Sequence, residues 1–181
     1  MSRPVVAVRR SLAVALAAAA VIPATASAAG CPGADAVPTA ATLKQARAAT
    51  LCLINRERTS RGMREVHSQT RLRKAATRHS TNMVRHHFFD HSSPAGSTAA
   101  TRVRASGYLR NVSSFQLGEN IGAGESVLGT PASMVDAWMH SAGHRFNILH
   151  ASFRDIGIGI VVGTPGGGGG ATYTTDFGVR H

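Results

Sequence analysis

The 181-residue sequence is short of charge, of aromatic rings and of cysteine, and each shortage excludes something. Charged residues make up only 16% and hydrophobic ones 43%, which is too apolar and too lightly charged for a disordered chain. One domain with a real core fits this length; two do not. One tryptophan, two tyrosines and six phenylalanines leave few rings beyond those a core claims, which argues against a nucleic-acid stacking surface. There is no internal repeat. Neither Ser92 nor Ser93 sits in a G-x-S-x-G elbow, so a serine hydrolase lacks its nucleophile motif. The five consecutive glycines that end at Gly170 precede no Lys-Ser/Thr pair and no helix start, so they read as a hairpin loop between strands.

Acid is scarce as well: 9 acidic residues face 20 basic ones, a net charge of +11, and apart from Lys44 and Lys74 every cation is arginine. Part of that charge belongs to the N-terminus. Arg3, Arg9 and Arg10 precede an uncharged apolar run from Ser11 to Ala24, and Ala26-Ser27-Ala28 places small residues where a signal peptidase cuts. The run is shorter than the roughly 20 residues of a membrane span. Residues 1–28 are therefore expected to be a signal peptide, an uncleaved anchor being the rival reading. Its removal leaves 17 basic against 9 acidic residues, a charge of +8. Such a secreted protein suits anionic cell-surface polymers held by non-specific, salt-screened attraction, and no specific nucleic acid is expected.

In an oxidising compartment Cys31 and Cys52 read first as a disulfide, since two cysteines allow one pairing. A lipidated Cys31 is the rival, although Ala28 stands where a lipid-attachment signal carries leucine. With both thiols bridged, a cysteine hydrolase is unsupported.

Residues 29–45 are expected to form an extended lead-in and the start of the first helix, and 46–181 the folded domain. Apolar spacing predicts helices over about Thr39–Thr59, Gln69–Arg85 and Ser97–Ser106, and another that opens at Thr130-Pro131 and stops by Gly143. A turn is expected around Arg145 to Leu149. An aromatic and polar connection is expected between Gly107 and Gly118, and two strands, Asp155–Gly163 and Ala171–Phe177, close the chain. The arginines are expected on solvated helix faces. Trp138 is expected in the core, with Asn120 and Asn147 fastening backbone groups.

Ionisable residues concentrate in three segments: Phe89-Asp90-His91-Ser92-Ser93-Pro94, Gly118-Glu119-Asn120-Ile121, and Trp138 to Leu149 with His140, Ser141 and His144. Histidines and a carboxylate on separate segments suit either a metal site or an acid/base cluster if the fold converges them. The ordered set F-x-H-x-S-P, G-E-N-I, A-W-x-x-S-x-G-H-R-x-N-I-L, D-I-G-I-G and T-x-D-F-G, from about Leu51 to Gly178, resembles the bacterial branch of the CAP superfamily. That superfamily also holds cysteine-rich secretory proteins, insect venom antigen 5 and plant pathogenesis-related 1 proteins.

The resemblance implies an α+β fold, a three-layer α-β-α sandwich around an antiparallel sheet, with a cleft lined by two histidines and two acids. His91 matches the first histidine, Glu119 the glutamate and His144 the second histidine; Ser141 stands where eukaryotic members carry the other acid. A hydroxyl is a poor ligand, so His91, His144 and Glu119 are expected to bind zinc or another divalent cation weakly at most, with no cofactor required. The function implied is a secreted, monomeric, non-catalytic binding module whose cleft takes a lipid, a cell-wall polymer or an extracellular protein. The alternative is a metal-assisted extracellular hydrolase using His91, His144 and Glu119.

Overall fold

Leu43–Thr59 (α1) turns Ala46, Ala49, Thr50 and Ile54 inward and ends in Arg56 and Arg58, cations suited to a helix C-terminus. Gly62, at φ +69°, then reverses the chain. The computed structural model describes residues 30–181, so the expected signal peptide and its cleavage site lie outside the described residues. After a two-residue strand His67–Ser68 (β1), Gln69 caps Thr70–Arg85 (α2), its side chain accepting the Leu72 N–H at 3.3 Å. Ala99–Ala105 (α3) opens with a Thr98/Thr101 capping box. Phe115–Gly124 (β2), Pro131–His140 (α4), Ala142–Ile148 (α5), Asp155–Val162 (β3) and Ala171–Arg180 (β4) complete the chain.

The strands form one sheet in the order β1-β3-β4-β2. The β3–β4–β2 part is antiparallel, as expected, while β1 runs parallel to β3 through His67 and Ser68, so the sheet as a whole is mixed. Alternation along the strands builds three layers. Ile156, Ile158 and Ile160 of β3 and Tyr173, Phe177 and Val179 of β4 face Ile54 of α1, Val135 and Trp138 of α4 and Ile148 of α5. On the opposite face α2 lies against β3 so closely that a Cβ at Gly157 would strike the backbone of Leu72 and Arg73, and one at Gly159 the backbone of Ala76 and Thr77. Ser80 of α2 reaches across to Thr174 of β4 at 2.8 Å.

Four expectations are corrected. The first helix begins at Leu43, because Thr39 and Thr42 spend their hydroxyls and backbone on a turn that precedes it. The segment before Gly118 is strand from Phe115 onward, paired with β4 up to Arg180. Gly143 does not stop a helix: α4 ends at His140, and the expected turn after it is the short helix α5, which contains Gly143. Arg58 and Arg102 are buried, not solvated. Arg58 donates to the carbonyls of Arg64 (2.8 Å), Ile148 (2.7 Å), His150 (3.1 Å) and Phe153 (3.3 Å), where an arginine fork satisfies oxygens at the end of α5 and in the loops that follow α1 and α5.

A disulfide joins Cys31 to Cys52, pinning the lead-in to α1 across 21 residues of sequence. With Ala34 and Ala49 it forms a small core of its own against Ala132. Chain-entropy reasoning gives a loop of this size about 3 kcal/mol of stabilisation.

Candidate functional site

Strand β2 lies at the edge of the sheet, and its register places Glu119 directly opposite Asp176 of β4 on the face covered by α2 and α3. Both carboxyls are buried. Above them runs the loop from α2 to α3. His87 turns it at φ +52°, and the Asp90 carboxylate accepts the Ser92 N–H at 2.7 Å, closing a local turn around His91. The His91 ring therefore faces Glu119, Nδ1 to Oε1 at 2.8 Å, while much of the ring stays open to solvent.

The other oxygen of Glu119 is also taken. Arg102 of α3, buried with it, donates from Nη2 to Oε2 at 2.6 Å and to the His91 carbonyl at 2.9 Å, and from Nη1 to the Ser97 carbonyl at 2.7 Å. One guanidinium thus ties the loop, the helix and the edge strand together. Below, His79 of α2 lies fully buried with Nε2 3.0 Å from the Asp90 carbonyl, a geometry that suits an Nε2–H donor, and its Nδ1 has no partner.

These neighbours set the protonation states. Burial would raise Glu119, but the bonds from His91 and Arg102 outweigh it and hold the carboxylate below its ordinary range. The bond to Glu119 raises His91 against the opposing effect of burial. Asp176 is pushed well above the usual carboxylate range by burial and then by the Glu119 charge. His79 is lowered by burial, which the pull of Glu119 only partly offsets.

The second helical layer contributes His144. Asn147 of α5 donates to the Glu119 carbonyl at 3.1 Å and to Asn120 Oδ1 at 2.9 Å, and Asn120 donates to the His144 carbonyl at 3.1 Å. Trp138 Nε1 donates to the Ile121 carbonyl at 3.0 Å. These bonds cover the outer carbonyls of an edge strand and fix α5 beside it. Gly118 is needed there, since a Cβ would meet Asn147 Oδ1 at 2.8 Å. The half-buried His144 ring is lowered by burial and then by the charge of His91. Ser141 sits at the N-cap of α5, half-buried, with no side-chain capping bond.

His91 and Glu119 are thus bonded, while His144 is tied to the same strand through its backbone carbonyl, which accepts from Asn120. Glu119 lies within a strand, not on a loop. Arg102, Asp176 and His79 are additional members of the site. Asp176 was visible as part of T-x-D-F-G, but its pairing with Glu119 depends on strand register, and nothing local to Arg102 or His79 marks either as part of a polar cluster. Among the described residues, no three His, Cys, Asp or Glu side chains are grouped to hold a metal ion. With both Glu119 oxygens engaged, the donors left for a cation are His91 Nε2 and the His144 ring.

Residues 51–177 match the family model described as the cysteine-rich secretory protein family, CAP. The chain is 37% identical over 109 residues to the uncharacterized protein YkwD of Bacillus subtilis (strain 168), a match covering 60% of this chain and 40% of that one. It therefore spans less than half the length of that relative. An extracellular protein containing an SCP domain from Bacillus anthracis str. Ames shares the fold with a TM-score of 0.60 at 24% identity, over 77% of this chain and 44% of that one. An outer surface protein from Borrelia burgdorferi does so with a TM-score of 0.57 at 19% identity, over 71% and 87%. A polar cluster built on the G-E-N-I strand, enclosed by three layers and matched by the family model over most of its length, leaves one conclusion: the chain belongs to the cysteine-rich secretory protein family, CAP.

Proposed function

We propose that the protein is an extracellular, non-catalytic binding module that holds a lipid through the His91 and His144 surface. The observation that carries this reading is the double engagement of Glu119: with one oxygen on His91 and the other on Arg102, and with Asp176 buried beneath it, no carboxylate of the site is free and open to act as a general base. Glu119 instead orients His91, leaving Nε2 to donate to or accept from a polar headgroup. The rim supplies apolar surface, for Phe89 and Phe146, each two residues from one of these histidines, are 53% and 65% exposed. An extracellular location is supported by the signal-like leader, by the Cys31–Cys52 bridge and by the descriptions of the two similar structures as extracellular and outer-surface proteins.

A metal-assisted hydrolase is the second reading, favoured by one feature: an imidazole whose Nδ1–H is held by a carboxylate resembles the outer-shell arrangement around metal-bound histidine. His91 Nε2 and His144 would hold the cation, which would supply Lewis-acid polarisation of a bound carbonyl. Two protein ligands completed by water fit weak binding.

The separating experiment adds a short-chain phospholipid, with and without zinc, to the parent protein and to H91A/H144A and F89A/F146A double variants. Binding weakened about tenfold in both doubles, with no ester cleavage, is the expected result. Zinc-dependent cleavage lost in H91A/H144A would establish the hydrolase.

A further inference from the structure

The arginines and lysines among the described residues fall into two classes. Arg58, Arg61, Arg71, Arg102, Arg145, Arg154 and Arg180 donate to carbonyls or carboxylates. The other ten have neither an ion-pair nor a side-chain hydrogen-bond partner among the described residues; of these, Lys44, Arg47, Arg73, Lys74, Arg78 and Arg85 lie together, while Arg56, Arg64, Arg104 and Arg110 lie outside that group. One recess of about 360 Å³ between α1 and α2 is lined by Lys44, Arg47 and Arg73 around a floor of Ala48, Leu51 and Ile158. It adjoins at Arg73 a second of about 710 Å³ along the outer face of α2, where Lys74, Arg78 and Arg85 alternate with Thr70, Thr77 and Thr81. No acidic residue lines either one, and α2 contains none.

We propose that these recesses form one groove, distinct from the His91 site, that binds an extended phosphodiester polymer lacking bases, seated at Arg47 and Arg73. The spacing suits a linear ligand. Helix α2 is 16 residues long, about 24 Å, and its unpaired cations fall near its start, middle and end. Ser68 lines the first recess and Thr70 and Thr77 the second, hydroxyls that add to the charged donors available to the acceptor oxygens of a phosphate. Arg47 and Arg73 are both partly buried without a counter-charge, and burial together with Arg73 lowers Arg47 below its ordinary value. The folded protein holds these two guanidiniums together against their repulsion, and an anion between them would relieve it.

Other polyanionic partners fit less well. A nucleic acid would call for rings on which bases stack, and no aromatic side chain lines the groove. A membrane surface would call for protruding apolar side chains, whereas Ile158 and Leu51 form a floor. The same geometry argues against attraction by net charge alone, because six of the ten unpaired cations line these two adjoining recesses.

The test measures affinity of the protein for a glycerol-phosphate polymer, for single-stranded DNA and for anionic phospholipid vesicles across a salt series. It compares R47Q/R73Q with R104Q/R110Q, which removes the same charge from residues with no side-chain partner among the described residues and outside the groove. R47Q/R73Q is expected to weaken polymer binding about tenfold and to reduce the salt slope by about 2, with R104Q/R110Q changing affinity less than about twofold. Its melting temperature is expected to be no lower than the parent's, since like charges are separated. K74Q/R78Q, on the exposed part of α2, reports on the groove if the first variant folds poorly, and should also weaken binding. Equal losses in the groove and control variants would overturn the proposal in favour of diffuse attraction. Groove-dependent binding of DNA or vesicles as tight as that of the polymer would overturn the ligand class. Loss of lipid binding in H91A/H144A with polymer binding intact would keep the two sites separate.

Discussion

His91 Nδ1 lies 2.8 Å from Glu119 Oε1, so an exposed ring is aimed by a buried carboxylate that a second cation, Arg102, also holds. The pair has a definite pH signature. His91 is raised in the folded protein, so its contribution to stability is full below the unfolded value of about 6.5 and is lost as pH rises through the folded value. Glu119 is lowered, so its contribution is present above the ordinary carboxylate range and is lost as pH falls through the folded value. Glu119→Gln is expected to return the His91 titration toward its ordinary position, read from the ring C–H shift in proton NMR. It should also destabilise the fold by about 3 kcal/mol, because Arg102 loses its buried counter-charge. An unmoved His91 titration would show that the bond does not set its pKa.

Asp176 is expected to make the fold less stable as pH rises from about 4 toward its raised folded value, because only the folded chain keeps the proton over that interval. Asp176→Asn keeps the neutral shape and removes the titration. Urea unfolding at several pH values should show a flatter profile for the variant, with its largest advantage at the alkaline end. A parallel profile would mean that Asp176 is ionised beside Glu119.

Much of this was legible in the sequence, for reasons that differ from residue to residue. The periodicity of Leu72, Ala75, Ala76, His79 and Met83 defines α2 because its buried face repeats at helical spacing. The strand alternation of Ile156, Ile158 and Ile160 marks β3 in the same way. His91, Glu119 and His144 stand out through their motifs. Arg102 does not, because its burial follows from where α3 docks and not from its neighbours in sequence. The Phe115 end of β2 was hidden because an edge strand there is mostly exposed and shows no run of buried residues. The pairing of Glu119 with Asp176, 57 positions later, is a property of register alone.

Replacing both cysteines by serine is expected to cost about 3 kcal/mol in urea unfolding and to loosen the segment around Ala34 first. Faster hydrogen exchange at the Ala132 amide, which donates to the Ala34 carbonyl at 2.9 Å, would report that loosening. Unchanged exchange would mean that the lead-in is held without the bridge.

Gly159→Ala is expected to destabilise the protein by about 2 kcal/mol or more, since the new methyl group meets the backbone of Ala76 and Thr77 and α2 must move off the sheet. Gly143→Ala, where a Cβ meets nothing within 4 Å, should be neutral or slightly stabilising. Thermal unfolding of both variants checks the contrast, and equal losses would count against close contact between α2 and β3.

The most direct measurement follows the imidazole resonances of histidine-labelled protein during titration with a short-chain phospholipid below its micelle concentration. Saturable shifts confined to His91 and His144, absent from exposed His67 and His140 and abolished in F89A/F146A, are the expected result. Binding that leaves both rings unmoved, or that shifts all exposed histidines alike, would contradict the assignment of the His91–His144 surface as the ligand site.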